Sequence, residues 1–372
     1  MTVRAFIVDD EPPARVRLRQ LLSEAGDVLV VGEAGDAVEA RTAIADTRPD
    51  VVFLDIEMPE TTGTELAASL PEPRPFVVFA TAFDHYALAA FAVDATDYLV
   101  KPITRVRLSG TLTRVRERLS RRSDLERDLV AASVAQAMLL GHRLPSIDGF
   151  DTAARTVPAR GVGGDFFLSL QIGPARFALA LGDVSGKGMP AGIVASSLQA
   201  RIEAVARHAR GTASEVIADV NRALCATSDS ARYATLAYLE LDTERSLLSV
   251  VNAGHLPLLI VSPSGERDLI ASTAPALGLL PEARFDAHTV PLVDGAVVVA
   301  YSDGITESLD AEGVEFEQDR LITVAEQCAT GSASDVCDGI LTAVRHHVGS
   351  ELAADDITIL VIKKTRVRRG GS

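Results

Sequence analysis

The chain contains 372 residues, more than one ordinary hydrophobic core accommodates and enough for two domains. Apolar residues make up 47% and charged residues 23% of the sequence, a composition that excludes a largely disordered protein. The formal net charge of −15 argues against binding to nucleic acid by charge attraction, and no apolar run reaches the roughly 18 residues that a membrane span needs.

The first residues and the cysteines bear on the cellular compartment. The opening sequence MTVRAFIVDDEPP becomes acidic at once and contains no cleavable signal pattern. Cys225, Cys328 and Cys337 are odd in number and form no CxxC pair, which argues against a disulfide framework and against a zinc site. We therefore expect a cytoplasmic protein without a membrane partner, whose cysteines are small buried hydrophobic residues.

Short apolar runs alternate with helical patterns over the first hundred residues. The five predicted strands are 3–8, 28–33, 51–54, 76–80 and 97–100. Strands that alternate with helices predict a parallel, doubly wound (βα)5 sheet of the α/β class. In such a sheet, ligands collect at the carboxyl ends of the strands.

A long helix is predicted over residues 104–140, continuous with the last helix of the first domain. Leu108, Leu112, Val115 and Leu119 follow the 4-3-4 spacing of a coiled-coil seam, and the phase slips beyond them. We interpret this linker helix as one that pairs with a copy of itself. A single solvated helix is the alternative, because the seam is short.

From residue 145 onward the pattern changes to strand-like runs, short turns and a few helices. The predicted strands are 177–181, 235–241, 247–252, 256–261, 296–301 and 358–362, and the predicted helices are 191–209, 213–226 and 334–347. Strands joined by short turns predict antiparallel sheets with helices packed outside, an α+β sandwich. We place this domain at residues 141–365, followed by a basic tail, RVRRGGS, over 366–372.

Three carboxylates are expected to converge in the N-terminal domain. Asp9 and Asp10 end the first predicted strand, and Asp55 ends the third in VVFLDIEMP. Three like charges in one pocket require a hard cation, and oxygen ligands suit Mg2+. Thr81 and Lys101 end the fourth and fifth strands, where a hydroxyl and an ammonium group can bind the oxygens of a phosphoryl group.

This arrangement resembles the CheY-like receiver domain of response regulators over about residues 1–120. The resemblance implies that Asp55 is the phosphoacceptor. It also implies that Asp9, Asp10 and Asp55 bind Mg2+ together with the backbone carbonyl of Glu57.

The same resemblance implies roles for three further receiver residues. Thr81 and Lys101 would hold the phosphoryl group, and Tyr98 would be the aromatic switch residue. One departure is Thr62, which precedes Gly63 where the family usually has an acidic residue. We expect this loop position to leave phosphorylation intact.

The C-terminal half contains four aspartate-bearing turns, each beside a strand-like run. They are VGGD, GDVSGKG, YSDGITES and ADDITIL. Carboxylates at the strand ends of a sandwich can hold two divalent cations, which activate a water and stabilise the attacking and leaving oxygens of a phosphate ester. Carboxylate and carbonyl ligands favour Mg2+ or Mn2+ over softer metals.

These turns, in this order, resemble the PPM family of metal-dependent protein phosphatases, specifically its SpoIIE/RsbU-like branch. PARGVGGDFF, NAGHLPLLI and ALGLLP extend the resemblance, which covers about residues 138–363. It implies an αββα sandwich that hydrolyses phosphoserine or phosphothreonine in proteins without a phospho-enzyme intermediate. His255, in NAGH, is interpreted as a residue that orders a turn between two strands rather than as a catalytic residue.

The resemblance also assigns residues to the phosphatase site. The implied metal ligands are Asp165, Asp183, Asp303, Asp355 and the backbone carbonyl of Val184. Asp183 and Asp303 belong to the shared metal centre. Asp356, Gly164 and Gly304 are expected to support the ligands.

Two functional hypotheses follow. In the first, a sensor histidine kinase phosphorylates Asp55, and the linker helix transmits the change to an active phosphatase, with homodimerisation through the receiver or the predicted seam. The resemblance implies a phosphorylated STAS-type anti-anti-sigma factor as the substrate. In the second, a non-catalytic adaptor binds a regulatory protein through a degenerate phosphatase fold. The complete aspartate set favours the enzyme, and no helix-turn-helix segment remains for a DNA-binding regulator.

Overall fold

The chain divides into two compact units, Met1–Arg127 and Asp128–Ser372. The computed structural model describes residues 2–71, 73–82, 95–140, 144–159, 161–208, 211–227, 232–349 and 355–365. The predicted basic tail over 366–372 lies outside the described residues. The predicted bounds of receiver, linker and phosphatase domain stay predictions, and the division between the two units falls within the long helix.

The first unit contains a five-stranded parallel sheet with the strand order β2-β1-β3-β4-β5. Its strands are β1 Val3–Val8, β2 Val28–Ala34, β3 Val51–Leu54, β4 Phe76–Thr81 and β5 Asp97–Val100. Its helices, among the described residues, are α1 Pro12–Ser23, α2 Ala37–Thr47, α3 Gly63–Ala68 and the first part of α4 Arg105–Leu140. The predicted parallel α/β sheet is therefore confirmed.

Apolar cores cover both faces of this sheet. One core contains residues of α2 and α3, and the other contains residues of α1 and α4. Leu108, Leu112, Val115 and Leu119 are at most 3% exposed within the second core. The prediction that these four residues form a free coiled-coil seam is wrong, because their side chains already pack within their own unit.

The second unit contains two antiparallel sheets, with the strand orders β13-β10-β9-β8-β7 and β12-β11-β14-β15-β6. The strands are β6 Phe150–Val157, β7 Phe166–Gly173, β8 Arg176–Val184, β9 Ala234–Asp242, β10 Leu247–Ala253, β11 Leu258–Val261, β12 Arg267–Ile270, β13 His288–Pro291, β14 Val297–Tyr301 and β15 Ile357–Lys364. The helices that follow α4 in the described residues are α5 Met189–His208, α6 Ala213–Thr227, α7 Asp303–Thr306, α8 Glu317–Cys328 and α9 Ala333–Val348.

Three apolar cores hold this unit together. One joins residues of the two sheets, such as Leu239 and Val298. A second packs α5 and α6 on the first sheet, and a third packs α8 and α9 on the other. The strand ends that carry the predicted aspartates therefore belong to two different sheets, whose packing fixes their separation.

The three cysteines form no disulfide in the structure. Cys225, Cys328 and Cys337 are free thiols; Cys337 is fully buried, and the other two are half-buried. Within the described ranges, no helix has the length and apolar character that a membrane crossing requires.

Candidate functional site

Three carboxylates of the first unit lie together at the carboxyl ends of β1 and β3. One oxygen each of Asp9, Asp10 and Asp55 lies within 4.8 Å of the others. The register of the parallel sheet pairs Val8 with Leu54, so the residues that follow these strands are neighbours. The predicted convergence of the three carboxylates is observed, and the oxygen cluster suits a hard cation.

Lys101 neutralises part of this charge. Its Nζ atom lies 2.6 Å from an Asp55 oxygen and 2.7 Å from an Asp9 oxygen. Burial raises the pKa of Asp55, and the hydrogen bond from Lys101 opposes that shift. Burial lowers the pKa of Lys101, but the hydrogen bonds to Asp55 and Asp9 outweigh it, so the net shift is upward. The ammonium group therefore stays charged beside Asp55.

Thr81 and Glu57 border this cluster, whereas Tyr98 lies near the start of β5. Thr81 is the fully buried last residue of β4, and its carbonyl accepts a hydrogen bond from the backbone N–H of Lys101. The backbone N–H of Glu57 donates to Asp55 over 3.3 Å. Tyr98 is half-buried in β5, where it packs beside the core that contains α2 and α3.

The sequence departure at Thr62 has a local explanation. Thr62 is the N-cap of α3, and it forms a reciprocal capping box with Glu65. The next residue must be small, since a Cβ atom on Gly63 would lie 2.0 Å from the backbone oxygen of Asp55. The Thr62 hydroxyl therefore caps α3 at the point where the backbone of Gly63 lies against that of Asp55.

In the second unit, Asp165 and Asp183 form a buried pair. Burial raises the pKa of Asp165 well above its ordinary range, the charge of Asp183 adds to this, and hydrogen bonds to Ser302 and Thr358 oppose it. Burial also raises the pKa of Asp183 to about 7, with the charge of Asp303 as the next cause. Two carboxyl groups in this position cannot both ionise without a cation.

Asp303 and Asp355 are the other two aspartates of this cluster. Burial raises the pKa of Asp303, and the charge of Asp355 adds to the shift. Asp303 is the first residue of α7, whereas Asp355 precedes β15. The Nζ atom of Lys187, from the GDVSGKG turn, lies 2.6 Å from an Asp355 oxygen. Sequence reasoning quoted that turn without assigning its lysine.

Asp356 holds the loop that carries Asp165. Its two carboxylate oxygens accept hydrogen bonds from the backbone N–H groups of Ala159 and Gly164, each over 2.8 Å. A Cβ atom on Gly164 would lie 2.7 Å from the backbone oxygen of Val184. A Cβ atom on Gly304 would lie 2.1 Å from the backbone oxygen of Asp356. These contacts are consistent with the supporting roles predicted for Asp356 and the two glycines.

Gln136, near the end of α4, binds the same loop and was missed from the sequence. Its side-chain amide donates to the carbonyl of Gly163 over 2.8 Å and accepts from the N–H of Gly163 over 3.1 Å. The amide also donates to the carbonyl of Gly192, in the first turn of α5, over 3.3 Å. A buried glutamine inside a long helical pattern gave no signal that could have identified this contact.

The second set of carboxylates fits divalent cations. Asp165 has a buried oxygen, Oδ2, for which the described part of the chain supplies no hydrogen-bond partner. Oxygen ligands of this kind, crowded enough to raise one another's pKa, bind Mg2+ or Mn2+ in exchange for protons. Among the described residues, Asp9, Asp10 and Asp55 are the only group of three possible ligands whose ligand atoms all lie within 4.8 Å of one another. The carboxylate oxygens of the second set are therefore spaced more widely than those of the receiver.

Two sequence families match this chain. Residues 5–113 match the family described as Response regulator receiver domain. Residues 173–365, more than half of the chain, match the family described as Stage II sporulation protein E (SpoIIE). The chain belongs to the SpoIIE family. Its SpoIIE match lies in the second compact unit and its receiver match in the first, so the chain joins a receiver domain to a SpoIIE-family domain.

Curated relatives match the receiver part of this SpoIIE-family chain. The transcriptional regulatory protein BtsR of Escherichia coli (strain K12) is 51% identical over 120 residues, which are 32% of this chain and 50% of that protein. The chain thus spans about half the length of the curated relatives it matches. This similarity concerns the receiver domain alone.

Solved structures match the C-terminal part of the SpoIIE-family chain. The RsbU and RsbW domains of Rv1364c from Mycobacterium tuberculosis are 27% identical, with a TM-score of 0.53, over 60% of this chain and 62% of that one. The SiaA-PP2C domain of Pseudomonas aeruginosa is 19% identical, with a TM-score of 0.58, over 65% of this chain and 98% of that one. The second similarity shows a shared PP2C-like fold.

Proposed function

We propose that this protein is a two-component response regulator whose output is metal-dependent dephosphorylation of a phosphoserine or phosphothreonine protein, under the control of Asp55 phosphorylation. The observation that carries the proposal is the cluster of aspartates in the second unit. Burial and neighbouring charges raise the pKa of Asp183 in this cluster to about 7. Such crowding is costly unless cations bind there. The two antiparallel sheets with their outer helices support the αββα sandwich of the PPM family.

In the receiver, the side chains suit phosphoryl transfer to Asp55. Asp9, Asp10 and Asp55, with the backbone carbonyl of Glu57, would hold Mg2+, which supplies charge neutralisation for the incoming phosphoryl group. Lys101 already contacts Asp55 and would bind a phosphoryl oxygen once Asp55 is phosphorylated. A sensor histidine kinase is the proposed phosphodonor.

Thr81 and Tyr98 would report phosphorylation to the rest of the receiver. Thr81 lies at the end of β4, the neighbour of β3, and its hydroxyl would bind a phosphoryl oxygen. Tyr98 lies on β5, next to β4, and would act as the aromatic switch. A change at the ends of these strands can bias only a nearly balanced two-state element.

In the phosphatase domain, Asp165, Asp183, Asp303, Asp355 and the Val184 carbonyl would hold two Mn2+ or Mg2+ ions. When bound, these ions supply an activated water and charge stabilisation for hydrolysis of the phosphate ester. Asp356 fixes the loop before Asp165 through two backbone N–H groups. The close backbone approach at Gly164 places the Val184 carbonyl beside that loop.

The end of α4 supplies the proposed coupling. Gln136 binds both the Gly163 backbone and the first turn of α5 through the carbonyl of Gly192. A shift or rotation of α4 would therefore act on the loop that carries Asp165. Because the predicted seam is buried, homodimerisation would use the receiver or exposed apolar residues of α4, such as Val130, Val134 and Met138.

The proposed substrate is a phosphorylated STAS-type anti-anti-sigma factor. The proposal rests on the RsbU-like branch of the family and gains support from a solved relative that contains RsbU and RsbW domains. A non-catalytic adaptor that binds such a regulator without hydrolysing its phosphate is the alternative. The metal content of the purified protein separates the two, because an adaptor does not need a pair of bound cations.

Acyl-phosphate treatment tests the proposed control. We expect treatment of the wild type to change the rate of phosphate release from a phosphoserine protein severalfold, because phosphorylation of Asp55 shifts the receiver between two states. The Asp55→Ala variant should release phosphate at a rate that the treatment does not alter. Equal rates for treated wild type, untreated wild type and variant would show that the receiver does not control the phosphatase.

A further inference from the structure

His255 is a buried histidine for which the proposed mechanism has no role. It lies in the turn between β10 and β11, and it is 5% exposed. Its Nδ1 atom lies 2.8 Å from the hydroxyl oxygen of Thr235, and its backbone N–H donates to the side chain of Asn252 over 2.9 Å. Thr235 therefore orients the imidazole at Nδ1, and Asn252 fixes the backbone from which the ring extends.

The Nδ1 side of the imidazole is connected to Asp183 through Thr235. Thr235 lies in β9, and the antiparallel register places it directly opposite Asp183 of β8. The hydroxyl that contacts His255 thus belongs to the cross-strand partner of a proposed metal ligand. Any displacement of His255 along this contact acts on the strand pair that carries Asp183.

The other side of the imidazole faces the end of β14, which precedes Asp303. The register of β11 with β14 pairs Leu259 with Val299, and the backbone of Tyr301, the last residue of β14, interacts with the imidazole of His255. Ser302 and Asp303 directly follow Tyr301 in the chain. The Nε2 atom of His255 is buried without a hydrogen-bond partner of regular geometry in the described ranges, and the backbone of Tyr301 is the polar group that acts on it.

The imidazole is neutral and shielded from solvent. Burial lowers the pKa of His255 to about 4, and the Tyr301 backbone opposes this shift only in part. A neutral imidazole can accept a hydrogen bond at one ring nitrogen and donate from the other. Because both ring nitrogens face protein groups, Thr235 at Nδ1 and the Tyr301 backbone near Nε2, the ring is placed to position neighbouring elements.

We propose that His255 is a positioning residue of the metal centre, which links β9 of one sheet to the end of β14 of the other and thereby sets the separation of Asp183 and Asp303. The two aspartates belong to different sheets, which meet through an apolar core and through a few hydrogen bonds, such as those of Asp165 with Ser302 and Thr358. The imidazole of His255 adds a hydrogen-bonded contact on the side of the site where Asp183 and Asp303 lie. The inference rests on the proposed function only in that the two carboxylates bind cations.

The matched variants Thr235→Val and Thr235→Ser isolate the contact. Valine has the shape of threonine without its hydroxyl, whereas serine keeps the hydroxyl. His255→Phe keeps a ring in the cavity and removes both nitrogen atoms. Loss of a group that orients metal ligands typically weakens metal binding by about 10-fold to 100-fold. We therefore expect Thr235→Val and His255→Phe to weaken Mn2+ binding by about 10-fold or more and Thr235→Ser to stay within about twofold of wild type.

Calorimetric titration of the full-length, metal-free protein with Mn2+ measures these affinities without a substrate. Asp183→Asn serves as the reference in which the second centre is lost, so that the receiver's contribution can be subtracted. Thermal unfolding of each variant confirms that the protein titrated is folded. A purely structural role would lower the unfolding temperature and leave the affinity of the folded protein unchanged.

Wild-type affinity in Thr235→Val and His255→Phe, or equal losses in Thr235→Val and Thr235→Ser, would overturn the proposal. Failure of the proposed function gives a different result. A wild type that binds Mn2+ in the second unit but releases no phosphate contradicts the phosphatase proposal and leaves the role of His255 standing. A wild type whose Mn2+ binding equals that of Asp183→Asn overturns both.

Discussion

Asp183 shows how burial and neighbouring carboxylates destabilise the ionised form of an aspartate in this site. Its pKa is raised from an ordinary 3.8 to about 7, first by burial and then by the charges of Asp303, Asp355 and Asp356. In the unfolded chain those causes are absent. The folded, metal-free protein therefore binds the Asp183 proton more tightly than the unfolded chain does.

The stability of the metal-free protein should consequently depend on pH. The favourable contribution of protonated Asp183 is fully present at about pH 4 and is lost as the pH rises through about 7, because the folded state must then give up a proton it holds tightly. We expect the unfolding temperature of the chelator-treated protein to fall between about pH 5 and pH 8. Mn2+ should restore it at the upper end, since cations bind the deprotonated site.

Scanning calorimetry across this pH range, on wild type and on Asp183→Asn, makes the measurement. The amide cannot titrate, so the variant should show a flatter pH dependence in the absence of metal. The same slope in both proteins would mean that Asp183 is not the titrating group.

At the residue scale, the sequence was sufficient to predict which carboxylates gather. Asp9 and Asp55 end neighbouring strands of a parallel sheet, and that topology alone brings them together. The sequence was not sufficient to predict every residue that contacts the aspartates of the second unit or the loop before Asp165. Lys187 and Gln136 meet their partners only through tertiary packing, and neither stands at a spacing that indicates a site.

At the element scale, helix α4 shows the limits of periodicity. The 4-3-4 spacing of Leu108, Leu112, Val115 and Leu119 correctly predicted a helix with one apolar face. It could not show whether that face packs within its own domain or on a second copy, because both partners require the same spacing. The structure places the face in the receiver core.

The contact of α4 with the second unit's loop can be tested by Gln136→Ala. Removal of the amide leaves the backbone of Gly163 without this partner, so the position of α4 would no longer act on the loop before Asp165. We expect the ratio of phosphate-release rates with and without acyl phosphate to fall to within about twofold of one. The Ala135→Ser variant, at an exposed neighbouring position, should keep the wild-type ratio.

Rates measured for the two variants, each with and without acyl phosphate, decide the outcome. An unchanged ratio in Gln136→Ala would place the coupling elsewhere in the chain. A changed ratio in Ala135→Ser would indicate a general effect of altering α4 rather than loss of one contact.

Elements with strong apolar runs were predicted best. Strands β1, β3 and β5 have the predicted bounds, and β14 differs by one residue. The sequence analysis missed four strands of the second unit. The FDTAARTV pattern of β6 is interrupted by polar residues, and β12 and β13 lie at sheet edges and are largely exposed. The fourth, β7, is mostly buried, and its FFLSLQIG pattern could have predicted it. An exposed edge strand has little apolar signal, because only one of its sides is paired.

At the scale of the whole molecule, the two-part organisation was predictable because each part carries its own pattern. Strands that alternate with helices precede α4, and strands joined by short turns follow it. The family matches separate in the same way, with the receiver over 5–113 and SpoIIE over 173–365. Which regulator the proposed phosphatase would act on depends on a docking surface, and no motif in the sequence describes one.

Release of phosphate from a phosphoserine STAS-type protein in Mn2+, by wild type and by Asp303→Asn, is the most direct measurement of the proposed activity. Asp303 contributes a carboxylate that is crowded by Asp355, and the amide keeps its shape while removing its charge. We predict metal-dependent turnover by wild type that falls to background in the variant. No turnover by wild type, with or without phosphorylation of Asp55, would contradict the proposed enzyme and favour the adaptor.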